Sequence, residues 1–470
     1  MVRNRVARSA LPVLLCLPVL LSGCRGDGSE ALAAAPAAAG LSVAGSASPG
    51  EAELRAATAA AMAARDAAAL TDAVEQARRL LGERAGIPEV KERFQPIPSA
   101  APLQAEEARR LAARSLPRLE TLRWWRVGMD PLQLGRPLRE PAAVLIGALA
   151  LGEAAGTDAA RRRALAVATD AGEFLLWAQA EAGGTLCPFP ASRGVADSAP
   201  FKASARFLEA AEREGRLQHV TRNGWTIDDL GDGGLQFDNG ECGAALLALH
   251  AASGEARWLD AARRMGEWAI AQPLSVNWNY NAFSVHLLAE LYAATGEARW
   301  LDAALDKARF GMIPGQLRDG PYAGRWLDPH NARPAYHYIL LRGLAALARR
   351  LPAGTPERVE VEAALSLGLA ARNRDFTGPG AANKDHALQS LLMVDAGWRT
   401  EPAFLAGTGT EAALAALERL AAQQWRSGRD PLGPHAAGLL LAHVVRRGQS
   451  SDAALGGGDE DRAGGAAGDG

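Results

Sequence analysis

The sequence predicts an all-α fold in which antiparallel helix pairs close into a ring. Alanine is abundant in nearly every segment of the 470 residues while β-branched residues are scarce, and this composition favours helix over sheet. The segment 253–262 recurs almost unchanged at 295–304, and this shift of 42 residues is the length of one helix hairpin. Tight glycine turns alternate with long connections, which places all tight turns on one face of a ring and all long loops on the other.

Helical periodicity predicts twelve ring helices, paired as six hairpins. Four of them flank the two repeats, where a glycine ends one helix in a left-handed turn and the next helix begins a few residues later. The other eight are predicted at 103–126, 138–156, 158–182, 333–351, 355–372, 383–397, 409–425 and 433–448. A short helix near 200–214 is predicted as an insertion, and 51–83 as an N-terminal addition.

The repeat motif resembles that of a known class of enzymes. Thr-Gly-Glu-Ala-Arg-Trp-Leu-Asp-Ala-Ala at 295–304 is similar to the Thr-Gly-Glu-x-x-Trp/Tyr-Leu-x-x-Ala hairpins of the six-hairpin carbohydrate-active enzymes. The resemblance covers roughly residues 100–449 and implies an (α/α)6 toroid with a carbohydrate ligand. An open helical solenoid is the alternative architecture. Polar and aromatic residues are concentrated in long loops on one side, which favours the closed ring.

The N-terminus has the pattern of a targeting segment. Three arginines precede the apolar stretch 11–21, which is too short to span a bilayer comfortably. Leu21-Ser22-Gly23-Cys24 follows and resembles a bacterial lipobox. The resemblance implies an acylated Cys24 that attaches the chain to a membrane, the outer membrane in a Gram-negative host. An ordinary secretory signal with an incidental cysteine is the alternative.

These patterns predict one globular domain with accessory segments. A Gly/Ser/Ala/Pro-rich stretch and a Gly/Asp-rich C-terminus have the composition of flexible chain. The predicted divisions are a signal peptide (1–23), the lipidated cysteine and its tether (24–50), a helical extension (51–100), the toroid (101–449) and a disordered tail (450–470).

Charge and motif content exclude several classes of function. A net charge of −2 gives no bulk attraction to nucleic acid. No cofactor or metal is predicted, because the eight histidines form no His-x-x-x-His pair with a Glu and no Gly-rich phosphate loop is present. Cys187 and Cys242 either pair in an oxidising periplasm or stay as two separate buried thiols, and the sequence favours neither.

An acid, bases and a cation are predicted to meet in one long loop and the helix after it. Asp328, His330, Arg333, Tyr336 and His337 lie within ten residues, and the last three share one face of that helix. Proton abstraction beside a uronate carboxylate needs such a set, because Arg neutralises the carboxylate while Tyr or His moves protons. These five residues are therefore the predicted catalytic group.

Aromatic and amide residues of the loops are predicted to bind substrate. Trp278 and Trp326 are expected to stack on a sugar ring. Trp258 and Trp300 occupy repeat positions instead, so they are expected to pack in the core. The remaining predicted binding residues are Asn279, Tyr280, Tyr322 and Asn331.

Several polar residues have a structural interpretation beside the functional one. Asp238 and Glu241 form Asp-x-x-Glu before an apolar run, so they are either a capping box or catalytic carboxylates. Asn277 or Asn279 is alternatively a helix N-cap. His286 is as readily a core histidine as a functional one.

Taken together, these features predict a lyase or epimerase that acts on an acidic glycan. Asn281, Phe283, Tyr336 and His337 resemble the C-terminal region of glucuronyl epimerases, which carries an Asn-x-Phe helix and a Tyr-His helix. Glycoside hydrolysis is the second reaction, with carboxylates drawn from Asp238, Glu241, Asp319 and Asp328. A non-catalytic lipoprotein that binds a glycan or a protein is the alternative outside enzymes.

Overall fold

A computed structural model describes residues 49–88, 96–121, 139–181, 213, 235–377 and 384–456. The α-helices of this part are α1 (Pro49–Ala64), α2 (Ala67–Leu81), α3 (Ala105–Thr121), α4 (Arg139–Ala155), α5 (Asp158–Glu181), α6 (Leu235–Ser253), α7 (Ala256–Ala271), α8 (Trp278–Thr295), α9 (Ala298–Gly311), α10 (Pro334–Ala348), α11 (Pro356–Thr377), α12 (Lys384–Trp398), α13 (Pro402–Gly407), α14 (Thr410–Arg426) and α15 (Pro434–Gly456). Two short 3-10 helices, Gly82–Arg84 and Ile313–Gly315, and one isolated bridge complete it. The described residues form no β-strand, and the prediction of an all-α fold is confirmed.

The two repeats fold into the hairpins that their glycines predict. Gly254 and Gly296 adopt left-handed φ values of 74° and 69°, which a side chain would strain. Each glycine N–H donates to the carbonyl four residues earlier at 2.8 Å, so α6 and α8 end there. Trp258 and Trp300 are fully buried on the next helices, as predicted for packing positions.

Six helices form a closed inner ring. They are α4, α6, α8, α10, α12 and α15; each packs against the next, and α15 packs against α4. The helices α3, α5, α7, α9, α11 and α14 pack on the outside of this ring. Inner and outer helices therefore alternate along the chain, which is the (α/α)6 toroid. The contact between the last and the first inner helix excludes an open solenoid.

Glycines bring the inner helices close together. A Cβ atom on Gly240 of α6 would lie 2.5 Å from the carbonyl oxygen of Phe283 on α8. One on Gly438 of α15 would lie 2.6 Å from the carbonyl oxygen of Gly147 on α4. Both distances are shorter than any Cβ contact tolerates, so backbone packs directly on backbone. We call the contact of Gly147 with Pro434 and Gly438 the closing seam, because it joins the first inner helix to the last.

The N-terminal addition consists of α1 and α2, packed as a hairpin. Arg65, between the two helices, donates through Nε and Nη2 to Asp306 on α9 at 2.7–2.9 Å. Arg78 on α2 forms an ion pair with Asp319, which lies in the loop after α9. The hairpin is therefore attached to one outer helix and to the loop that follows it.

The segment before α3 is hydrogen-bonded to α14, the second-last helix of the structure. The backbone N–H of Leu103 donates to the buried carboxylate of Glu418 on α14 at 2.8 Å. Arg447 on α15 donates to both oxygens of the same carboxylate at 2.8 and 2.9 Å. Such partners replace the hydration that a buried carboxylate loses.

Some boundaries differ from the prediction, and some predictions fall outside the described residues. The last helix continues to Gly456, beyond the expected end at 448, and the short α13 was not predicted. The predicted signal peptide, Cys24 and Cys187 lie outside the described part, as does the insertion near 200–214 except for residue 213. Within that part, no helix combines the length and the apolar character needed to cross a bilayer.

Candidate active site at the axis of the ring

The inner helices bring polar side chains together at the axis of the ring. Arg342 on α10 forms an ion pair with Glu241 on α6, although α8 separates these two helices in the ring. Both side chains must therefore lie inside it. The axial cluster, as we define it, comprises Arg139 (α4), Asp238 and Glu241 (α6), His286 (α8), Arg342 (α10), His386 and Gln389 (α12), and His435 (α15). Every inner helix contributes at least one member.

All members of the axial cluster occupy the first nine residues of their helices. Because inner helices begin after the long connections and end at the tight turns, these N-terminal halves lie at one end of the ring. A helix N-terminus carries about half a positive charge. Six of them converge on this end, which favours a negatively charged ligand.

Arg342 is the most deeply placed cation of the cluster, with 3% of its surface exposed. Its Nη2 donates to Glu241, and its Nη1 donates to Oε1 of Gln389 at 2.7 Å. Its Nε is buried, and no hydrogen-bond acceptor reaches it among the described residues. Two neighbours thus hold the guanidinium plane, while the Nε–H has no acceptor from the described residues.

Asp238 is a buried carboxyl in surroundings that shift its pKa upward. Burial raises its pKa, and the nearby charge of Glu241 raises it further, while Arg139 opposes this. Nε of Arg139 lies 3.2 Å from Oδ1 of Asp238, and its guanidinium lies 3.9 Å from the ring centre of Phe237. A carboxyl in such surroundings is suited to donate a proton.

The capping-box interpretation of Asp238 and Glu241 is corrected by the structure. Helix α6 already begins at Leu235, so Asp238 lies inside its first turn and is not the cap. Both carboxylates instead pair with arginines of other inner helices, Arg139 and Arg342.

The three histidines of the cluster are held in their neutral form. Burial lowers the pKa of His386 to about 4 and that of His435 to about 3, and the charge of Arg342 contributes to both shifts. Burial and Arg342 also lower the pKa of His286 well below its usual range. Nδ1 of His386 is buried without a hydrogen-bond partner in the described part of the chain. A neutral imidazole with an unoccupied nitrogen is able to accept a proton.

The two loop tryptophans are core residues, which corrects their prediction as sugar-stacking groups. Trp326 is fully buried, and its Nε1–H donates to the carbonyl of Met312 at 2.9 Å. Trp278 is 4% exposed and packs on Gly315, where a Cβ atom would lie 2.5 Å from the indole. Neither ring has a face that a sugar can reach.

His337 is also a core residue rather than a catalytic one. It is fully buried, and its Nε2 is 2.9 Å from the carbonyl oxygen of Gly368 on α11, an outer helix. Its ring meets Trp326 edge to face at 5.2 Å. Burial and the charge of Arg372 lower its pKa well below the usual range. The ring therefore faces away from the axis.

Two further predicted residues organise the loop before α10. Asp328 accepts hydrogen bonds from the backbone N–H of His330 at 2.8 Å and from Nδ2 of Asn331 at 3.0 Å. Oδ1 of Asn331 then accepts from the backbone N–H and from Nδ2 of Asn279, at 3.0 and 2.8 Å. Asn331 thus supplies the cap of α8, a role that the sequence suggested for Asn277 or Asn279. Asp328, Asn331 and Asn279 are structural.

A smaller group of predicted residues is partly exposed. His330 and Tyr336 stack with ring centres 4.6 Å apart, and Arg333 lies 5.7 Å from the centre of the Tyr336 ring. Tyr322 is half-buried beneath Arg325, and Tyr280 is half-buried on α8. The roles of these side chains as catalytic or binding groups stay predictions.

The residues that resemble glucuronyl epimerases have mainly structural surroundings. Asn281 is fully buried; its Nδ2 donates to the carbonyls of Ser275 and Gly311 at 2.8 and 2.7 Å. Phe283 is buried and stacks on Phe237 at 4.3 Å. Asp319, one of the candidate carboxylates for hydrolysis, has 70% of its side chain exposed and pairs with Arg78 outside the ring.

Sequence reasoning did not identify five members of the axial cluster as site residues, namely Arg139, Arg342, His386, Gln389 and His435. One feature of the sequence could have identified Arg342. Arg342 interrupts the otherwise apolar run from Tyr338 to Ala348, and a charged residue in a buried helix needs a partner or a function.

A cavity among the described residues lies away from the axis. A cavity of about 260 Å³ opens between α3, α15 and the turn from α4 to α5, and its arginines, Arg109, Arg161 and Arg446, pair with Glu106, Asp158 and Glu153. No group of three His, Cys, Asp or Glu side chains in the described part is placed to hold a metal ion.

The fold and the axial cluster together define an all-helical six-hairpin toroid with a titratable centre. No protein-family model and no curated protein sequence matches the chain. A solved structure described as a polysaccharide lyase is 13% identical, with a TM-score of 0.45, and the match covers 74% of this chain and 98% of that one. A glycosyl hydrolase of family 88 from Bacteroides vulgatus is 11% identical, with a TM-score of 0.47, and covers 74% of this chain and 99% of its own. The fold assignment rests on the helix packing described above.

Proposed function

We propose that this protein is a carbohydrate-active enzyme that performs acid–base chemistry on an acidic poly- or oligosaccharide, with the axial cluster as its active site. The observation that carries the proposal is the pairing of opposite pKa shifts, raised at Asp238 and lowered at His386. Two groups whose surroundings move their pKa values in opposite senses supply a proton donor and a proton acceptor at the same pH.

The charge of the site supports an acidic substrate. Two arginines face two carboxyl groups, and burial raises the pKa of one of these, Asp238. The converging helix N-termini add positive potential at this end of the ring. A carbohydrate is proposed because the hairpins resemble those of six-hairpin carbohydrate-active enzymes.

Proton abstraction is the reaction class that these groups serve best. His386 removes the proton from the carbon beside a uronate carboxylate. The electron pair left behind forms a double bond as the C–O bond to the neighbouring sugar breaks, and Asp238 protonates the leaving oxygen. In an epimerase no C–O bond breaks and the carbon regains a proton on its other face. Hydrolysis is the second candidate, because Asp238 and Glu241 lie one turn apart on α6.

A panel of glycans tests this function. The purified protein is incubated with uronate-containing and neutral polysaccharides, and three readouts are followed: absorbance of unsaturated uronate, new reducing ends, and uptake of solvent deuterium by NMR. Unsaturated uronate identifies a lyase, new reducing ends without unsaturated uronate identify a hydrolase, and deuterium uptake without chain cleavage identifies an epimerase. We expect turnover of an acidic glycan, and Asp238→Asn is expected to lower kcat about 10²- to 10⁴-fold.

Asp319→Asn is the matched control, because it removes an exposed carboxylate outside the ring and is expected to leave kcat unchanged. Binding without turnover across the whole panel would show the non-catalytic glycan-binding alternative to be correct. Equal activity in wild type and Asp238→Asn would remove Asp238 from the mechanism.

We also propose that a lipid on Cys24 anchors the protein to the cell envelope, at the outer membrane in a Gram-negative host. The proposal rests on the lipobox-like sequence Leu21-Ser22-Gly23-Cys24. Expression with labelled palmitate is expected to label the protein, and Cys24→Ser is expected to abolish labelling and release the protein from the membrane fraction. An unlabelled wild-type protein would leave the ordinary secretory signal as the correct interpretation.

A further inference from the structure

One buried hydrogen-bond donor of the axial cluster has no acceptor within the described part of the chain. Nε of Arg342 has no partner among the described residues, although Nη1 and Nη2 are held by Gln389 and Glu241. Native proteins satisfy nearly all buried polar groups, and an unsatisfied one is costly. An acceptor supplied by a bound molecule would remove that cost.

The groups around Arg342 indicate the charge of such a molecule. His286, His386 and His435 come from three different helices, and the pKa of each is lowered by burial and by the charge of Arg342. All three are neutral near pH 7, so they offer no competing positive charge. Among the described residues, the carboxylate that bonds to Arg342 is Glu241, and it occupies Nη2 only. The Nε–H of Arg342 therefore remains available for an acceptor from a ligand.

We propose that Nε of Arg342 binds the carboxylate of the acidic sugar, and that Glu241 and Gln389 are positioning residues that fix the guanidinium plane. This inference rests on the proposed function and assigns one subsite within it. One carboxylate oxygen accepts the Nε–H bond, and its charge is balanced by the guanidinium. The subsite places the carboxylate beside His386, whose unpartnered Nδ1 lies in the same cluster.

The subsite also explains why the reaction occurs there. Removing a proton from the carbon next to a carboxylate moves negative charge onto the carboxylate oxygens. A fixed guanidinium at that position stabilises the developing charge without reorganising. Arg342 is therefore a specificity group and a stabilising group at once.

Binding of small sugars measures this subsite without requiring turnover. The purified full-length protein is titrated calorimetrically with glucuronate, glucose 6-sulfate and glucose. We expect wild type to bind glucuronate in preference to the other two. Arg342→Lys keeps the positive charge but lacks the Nε–H and the planar fork, and we expect it to bind glucuronate about 10- to 100-fold more weakly.

Two other variants separate this role from a structural one. Arg309→Lys alters an arginine on outer helix α9, and it is expected to bind glucuronate as wild type does. Gln389→Met keeps the volume of the side chain but removes the acceptor for Nη1. It is expected to weaken glucuronate binding about 3- to 10-fold, and its unfolding transition checks that the variant is folded. Gln389→Met also keeps the test decisive should Arg342→Lys fail to fold.

The results distinguish this subsite from the proposed function. Wild type that fails to bind glucuronate, or that binds glucose or glucose 6-sulfate equally well, overturns the subsite. Glucuronate affinity unchanged in Arg342→Lys or in Gln389→Met overturns it too. Turnover that persists in Arg342→Lys leaves the enzyme proposal standing without the subsite. Arg342-dependent binding with no turnover of any glycan leaves the subsite standing without the enzyme.

Discussion

Replacing Trp326 by alanine is expected to lower the free energy of unfolding by about 3–5 kcal/mol. The indole is fully buried, donates a hydrogen bond to the carbonyl of Met312, and packs against the ring of His337. Removing it leaves a cavity and an unsatisfied carbonyl in the core. Denaturant unfolding at neutral pH, followed by tryptophan fluorescence and circular dichroism, measures the loss.

Trp326→Phe is the matched variant, because it keeps most of the apolar volume and removes only the N–H donor. Its expected loss is about 1–2 kcal/mol, from one buried hydrogen bond and a partly filled cavity. The opposite pattern, a stable Trp326→Ala protein with a raised KM for a glycan, would restore the prediction that this ring stacks on sugar.

Lowering the pH from 7 to 5 is expected to destabilise the protein through its buried histidines. In the unfolded chain His386 takes up a proton near pH 6.5, whereas in the folded chain its pKa is about 4. The unfolded state therefore binds more protons between these values, and stability falls as pH falls through that window. His386 alone accounts for about 2 kcal/mol at pH 5, and His435, whose pKa is about 3, acts in the same direction.

His386→Asn isolates this contribution, because asparagine is polar and does not titrate. Unfolding free energies of wild type and His386→Asn are compared at pH 7 and pH 5. The variant is expected to lose about 2 kcal/mol less than wild type over this interval. Equal losses in the two proteins would mean that His386 is already protonated in the folded state.

Much of the fold could be predicted from the sequence, because the patterns that indicate it are local and repeated. The glycine turns at Gly254 and Gly296, the buried Trp258 and Trp300, and the hairpin length all follow from residues close together in the chain. The closure of the ring was predicted from the alternation of short and long connections, which is a property of the whole chain.

The site was harder to predict from the sequence because its residues are far apart along the chain. Arg342, Glu241 and His386 come from three helices and have no motif in common, so only the closed ring brings them together. The run from Asp328 to His337 is rich in polar residues because it builds a turn, caps α8 and fills a space beneath α11. Local density of polar groups was therefore a poor guide to catalysis here.

The closing seam has a consequence for the order in which the protein folds. Gly147 of α4 meets Pro434 and Gly438 of α15, about 290 residues further along the chain. During synthesis from the N-terminus, α4 must wait for nearly the entire chain before its last neighbour exists. Contacts of such long range slow folding and leave apolar surfaces open in the meantime. A ribosome that stops before Pro434 would thus release a chain whose first inner helix cannot be covered, and whose natural course is to aggregate.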